Sequence, residues 1–152
     1  MLKFKKALSA AIISTLSMGP VLAQQTNFDS LKLSAGFSPD KAVLIGYTNG
    51  SVSLASLNNT DNNKCLGYAS NIPDHIIELE KDFPSLLLKA TSSQGEITLL
   101  VKTPDDQVIC ADSTSQKEVM IKTQNWKKGK YRIWVGSIDE GQKSKYTLFV
   151  QQ

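Results

Sequence analysis

The sequence is short of the residues with which most enzymes work. Its 152 residues hold one histidine, His75, one arginine, Arg132, and two cysteines, Cys65 and Cys110. Any Ser-His-Asp or Cys-His device must therefore use His75, and no Gly-x-Ser-x-Gly elbow stands anywhere in the chain. One histidine and two cysteines also fall short of the nitrogen and sulfur ligands that zinc sites use. Glycine-rich phosphate loops are absent. No segment beyond the N-terminal apolar run keeps a 3.6-residue apolar period for ten residues, and no run approaches the ~20 apolar residues of a spanning helix. What is present suffices for a core: 41% of residues are hydrophobic against 20% charged, in a length that suits one domain.

The excess of positive charge is confined to one end. Lys3, Lys5 and Lys6 precede an apolar run over residues 7–16, then Ser17-Met18-Gly19-Pro20 and Val21-Leu22-Ala23. A cationic start, a short apolar stretch and small residues before a cut describe a secretory signal peptide over 1–23, cleaved after Ala23. No cysteine follows the cut, so no lipid anchor is expected there. With those three lysines removed, basic and acidic residues balance at 14 each. A neutral mature chain gives no electrostatic case for nucleic acid, and none for membrane insertion after cleavage. The expected location is secreted or periplasmic, as a monomer.

Export gives the cysteines a meaning. Outside the cytosol two thiols in one small domain usually bridge, and neither lies in a Cys-x-x-Cys pattern or near His75 in sequence. The expectation is one structural disulfide, Cys65–Cys110, rather than a pair of reactive thiols.

The chain after the cut reads as strands nearly throughout. Short apolar or alternating runs occur at 31–33, 42–45, 52–54, 76–79, 86–90, 97–102, 108–111, 119–123, 131–135 and 146–150. Turn formers separate them, among them Thr48-Asn49-Gly50, Ser92-Ser93-Gln94-Gly95, Pro104-Asp105-Asp106 and Asp139-Glu140-Gly141. The pattern predicts an all-β fold, an antiparallel, jelly-roll-like β-sandwich with one disulfide. Residues 24–63 are poorer in large apolar residues and read as an N-terminal arm with the first strands. Residues 64–152 form the core, so that 24–152 make a single domain.

Several short motifs in the second half belong together: Cys65-Leu66-Gly67-Tyr68, Pro73-Asp74-His75, Thr98-Leu99-Leu100-Val101 with Pro104-Asp105, Cys110-Ala111-Asp112, the run from Gly129-Lys130-Tyr131 through Arg132-Ile133-Trp134-Val135-Gly136, and Tyr146-Thr147-Leu148. Together with Leu33-Ser34-Ala35-Gly36-Phe37-Ser38-Pro39-Asp40, they resemble the bacterial pre-peptidase C-terminal domain family, in the small exported single-domain form found in cyanobacteria. The resemblance covers about residues 30–150. It implies an antiparallel β-sandwich, often an accessory module of secreted hydrolases without catalysis of its own.

That family pattern also carries acidic residues, and this chain departs from it. Glu96 stands where an Asp commonly precedes the Thr-Leu-Leu-Val strand, and Asp112 stands alone where an Asp pair is common. Calcium takes six to eight oxygen ligands. Glu96, Asp105, Asp106 and Asp112 are the weak calcium candidates, expected to converge at one end of the sandwich if they act. Otherwise Pro104-Asp105-Asp106 is an ordinary turn, and no cofactor is expected. His75, after Pro73-Asp74 at a strand start, reads as a hydrogen-bonded edge residue rather than a catalyst.

The clue that reaches furthest toward function is alternation. Tyr131, Ile133 and Val135 share one face of their strand, and Tyr146, Leu148 and Val150 share one face of theirs. If those faces point inward and the two strands form a hairpin, Arg132, Trp134 and Phe149 lie together outside. Such a platform suits a protein or glycan, unless another segment, such as the arm with Phe28, Leu31 and Phe37, covers it. Two classes follow. One is an exported, non-enzymatic binding or accessory module. The other is a small hydrolase, hydrolase inhibitor or calcium-binding module whose site the sequence does not reveal.

Overall fold

The computed structural model describes residues 25–57, 65–113 and 117–152. The expected signal peptide over 1–23 lies outside the described residues. Among the described residues there is no α-helix, and short 3-10 turns at Pro39–Lys41 and Leu54–Leu57 are the helical elements. Eleven strands follow in order: β1 (Leu31–Leu33), β2 (Val43–Tyr47), β3 (Val52–Ser53), β4 (Tyr68–Ala69), β5 (His75–Leu79), β6 (Phe83–Ser92), β7 (Ile97–Lys102), β8 (Val108–Asp112), β9 (Glu118–Trp126), β10 (Gly129–Ser137) and β11 (Lys145–Gln151).

They form two sheets, as the alternating runs predict. The first runs β1-β5-β10-β4-β3, with β7 on the other side of β10 and β8 beyond it; the second runs β2-β11-β6-β9. Pairing is antiparallel with one exception: β1 lies parallel to β5, Leu31 opposite Ile77. The expected antiparallel β-sandwich is present, with this one parallel pair at an edge. The early chain returns to the edge of β5 by a long crossover, and such a crossover permits a parallel neighbour.

The core lies between the sheets. Tyr131, Ile133 and Val135 from β10 meet Tyr146, Leu148 and Val150 from β11, with Leu86, Leu88, Ile97, Leu99, Val101, Val119 and Ile121 around them, all buried. Trp126 packs against Tyr131 with ring centroids 4.8 Å apart and the rings tilted at 48°. Alternation explains most of this, but β7 does not alternate. Ile97 through Val101 are all buried, the mark of a strand covered on both faces.

The outer cover of β7 is a second, smaller core. Leu54, Cys65, Ala69, Leu100 and Trp134 are buried together, with Leu57, Val108 and Cys110 against them. The Cys65–Cys110 disulfide, with Cα atoms 5.7 Å apart and a sequence separation of 45, ties this flap to β8. Two glycines let the flap lie flat. A Cβ on Gly136 would stand 2.6 Å from the Tyr68 carbonyl oxygen, and one on Gly67, at φ +92°, 2.5 Å from that of Ser137.

Candidate functional site

The expected platform of Arg132, Trp134 and Phe149 does not exist as a unit. β10 and β11 follow one another in sequence but do not pair; β10 is bonded to β5, β4 and β7, and β11 to β2 and β6. The hairpin expectation is corrected because the connecting turn carries the chain from one sheet to the other. Trp134 points away from the main core, as alternation requires, yet is only 5% exposed. Its cover is Leu54 and the disulfide-bound flap rather than Phe28, Leu31 or Phe37. Arg132 stays near the surface, ion-paired to Asp106, whose carboxyl it holds below the usual range. Phe149 lies alone of the three on the outer face of the second sheet.

The acidic candidates also separate. Asp105 and Asp106 sit in the β7–β8 turn, where Asp105 accepts a 2.9 Å hydrogen bond from the Gln107 amide and Asp106 also faces Lys102 at 3.7 Å. Asp112 is opposite Thr98, two residues after Glu96, at the far end of that hairpin and four residues beyond the Lys102–Val108 pair. Four residues of strand span ~13 Å. The expected convergence at one end is corrected: the hairpin holds the two pairs apart. Burial raises the Asp112 carboxyl above its usual range.

A constellation that the sequence reading missed lies at the junction of the two sheets. One edge of β10 is shared: β5 pairs with it as far as Ile133, and β4 takes over at Ser137. Between them the Val135 amide faces no strand, and Asp74 fills the gap by accepting that N–H at 2.8 Å. A buried amide left without a partner would cost free energy, so the carboxylate completes the ladder. Asn27 donates to its other oxygen at 2.8 Å. Burial is the larger influence and pushes the Asp74 carboxyl up to about 6, against the pull of those two hydrogen bonds.

His75, next in sequence, is fully buried. Its Nδ1 is 2.7 Å from the Asp29 carbonyl oxygen and its Nε2 2.9 Å from the Tyr146 hydroxyl. A carbonyl can only accept, so Nδ1 carries the proton and Nε2 accepts from the phenol. Burial lowers the imidazole and raises the phenol, and both groups are held neutral. The Phe28 ring lies against His75, Tyr146 and Tyr47, closing this end. The cluster binds the N-terminal segment to both sheets. The signal that could have found it was Asp74 itself, a carboxylate directly before an apolar strand.

The outer face of the second sheet is different in kind. No layer of described residues covers it. Reading across the register, Val43, Phe149, Lys89 and Met120 form one row, and Ile45, Thr147, Thr91 and Glu118 the next. Lys89 stands 5.8 Å over the Phe149 ring, and Lys143 5.4 Å over Tyr47. Ile45, Tyr47 and Met120 are among the large apolar residues left exposed.

No protein-family model matches the chain, and no curated protein matches it. Among solved structures it is similar to the 1.0 Å crystal structure of the pre-peptidase C-terminal domain of a collagenase from Bacillus anthracis, with 12% identity over 80% of this chain and 94% of that one and a TM-score of 0.49.

Proposed function

We propose that the protein is an exported, non-enzymatic binding module that contacts a protein or glycan at the cell envelope or outside it. The observation that supports this is the asymmetry of the two outer faces. Trp134 on the first sheet lies under a disulfide-tied flap, whereas on the second Val43 and Phe149, then Lys89 and Met120, form a row with no second layer, next to exposed Ile45. Contiguous apolar surface on a small protein marks an interaction site. Rows of lysine beside aromatic rings suit partners that offer both an apolar face and hydrogen-bonding or anionic groups.

Retention of purified protein on envelope fractions and on insoluble polysaccharides tests the reading. Phe149→Ala should lower affinity at least about tenfold, equivalent to ~1.4 kcal/mol, with an unchanged melting curve. Equal retention of the variant, or none of the wild type on any fraction, overturns it.

A further inference from the structure

The edge of the second sheet carries an inference beyond that reading. β2 is its terminal strand. The Val150 amide donates to the Ala42 carbonyl at 2.9 Å, and the Thr48 amide to that of Ser144, also at 2.9 Å. In an antiparallel ladder bonded pairs recur at every second residue. Ala42, Leu44, Gly46 and Thr48 therefore spend their backbone groups on β11, while those of Val43, Ile45 and Tyr47 point to the open edge. The same three residues aim their side chains at the outer face, where Ile45 is 52% and Tyr47 43% exposed.

Exposed edges invite strand addition, and proteins usually blunt them with charge, proline or shortness. β8 carries Asp112, β9 carries Glu118 and Lys122, β1 carries Lys32 and has three residues, and β3 has two. β2, Val-Leu-Ile-Gly-Tyr, has none of these devices. Among the described edge strands of five residues or more, it alone is uncharged.

We infer that β2 pairs with β2 of a second copy of this chain, antiparallel about a two-fold axis at Ile45. The sequence alone suggests a monomer because nothing in it shows which strand lies at an edge. The strand is complementary to itself. Ile45 meets the second copy's Ile45, and Val43 meets the second copy's Tyr47, with the free backbone groups of all three residues in the bonded positions. One step further, Lys41 faces Asn49 of the second copy, so no like charges oppose. An unlike partner strand would have to match an edge that offers no charge to read, whereas a second copy matches by symmetry. The product is a continuous eight-stranded sheet that carries both Phe149 rings on one face. Pairing of five residues places the contact at the small end of specific interfaces, which fits a reversible dimer.

Sedimentation velocity of the purified protein across a concentration series tests this. The wild type should move as a reversible dimer. Ile45→Lys and Ile45→Glu each place like charges on the axis and should raise the dissociation constant about 100-fold or more, with circular dichroism and melting unchanged at low concentration. Mixed in equal amounts, the two variants should restore the dimer, because residue 45 meets residue 45. A wild type that stays monomeric at the highest soluble concentration, a dimer that survives Ile45→Lys, or a mixture that stays monomeric overturns the proposal. If Ile45→Lys does not fold, Ile45→Thr, isosteric with a β-branched strand residue, should weaken the dimer without reversing charge; no weakening likewise overturns it. None of these readouts involves the ligand of Phe149.

Discussion

Asn27 donates its side-chain amide to the Asp74 carboxylate at 2.8 Å, across 47 residues of sequence. Asp74 in turn completes the gap in the ladder at Val135. The first residues of the described chain are thereby fastened to the centre of the first sheet by a group that titrates.

The pH consequence can be worked out in sign. Burial raises the Asp74 carboxyl from 3.8 to about 6, so its contribution to stability is fully present below about pH 4 and is lost as pH rises through about 6. The interval amounts to about 3 kcal/mol at most. His75 works the other way: its lowered value gives stability above its ordinary 6.5, lost as pH falls through the folded value. Urea unfolding from pH 4 to 7 should therefore show a smaller slope for wild type than Asp74 alone would give. The wild-type minus Asp74→Asn difference should change steadily between pH 4 and 6. A constant difference over that range contradicts the assignment.

The disulfide should matter more for the flap than for the sandwich. Replacing Cys65 and Cys110 by serine opens a 45-residue loop and should cost about 4 kcal/mol in the chain-entropy account. Trp134 lies under the flap and Trp126 in the main core. Reduction under mildly destabilising conditions should therefore shift only part of the tryptophan emission to the red. Selective quenching by acrylamide in Trp126→Phe, which leaves Trp134 as the sole reporter, measures this. Alkylation of the folded, unreduced protein should find no free thiol.

Trp134→Ala should cost ~3–5 kcal/mol of stability, the range for emptying a buried aromatic site. Its Nε1 has no hydrogen-bond partner among the described residues, so Trp134→Phe breaks no bond and should cost less than ~1.5 kcal/mol. Thermal melts of the two variants separate packing from hydrogen bonding. Similar losses for both would mean that the indole nitrogen has a partner.

The alternating runs gave away the strands because one buried face imposes a period of two regardless of which strands are neighbours. Partner choice leaves no such trace. Tyr131 to Val135 and Tyr146 to Val150 alternate identically whether the strands pair with each other or lie in opposite sheets, and the hairpin expectation failed on that ambiguity. The burial of Trp134 was legible in part. Leu99-Leu100-Val101 break the alternation, which requires cover on both faces of β7, and Leu100 stands opposite both Cys110 and Trp134. The covering turn at Leu54–Leu57 carried no comparable mark. Glu96, Asp105, Asp106 and Asp112 were judged by closeness in sequence, but a hairpin sends sequence neighbours to opposite ends. A carboxylate directly before an apolar strand marked Asp74 as unusual, but its partner is the gap between β5 and β4 on β10, which no local pattern encodes.

The two hub strands come last. β10 joins β4, β5 and β7, and β11 joins β2 and β6, so neither sheet has its middle until residues 129–151 are present. A chain emerging N-terminus first can pair β1 with β5, β3 with β4, β6 with β9 and β7 with β8, but the strands that join these pairs into sheets are still missing. Assembly then waits for chain completion and proceeds through distant pairings, the regime in which domains fold slowly. This order leaves uncharged β2 uncovered during the wait, the interval in which encounters between unfinished chains compete with folding.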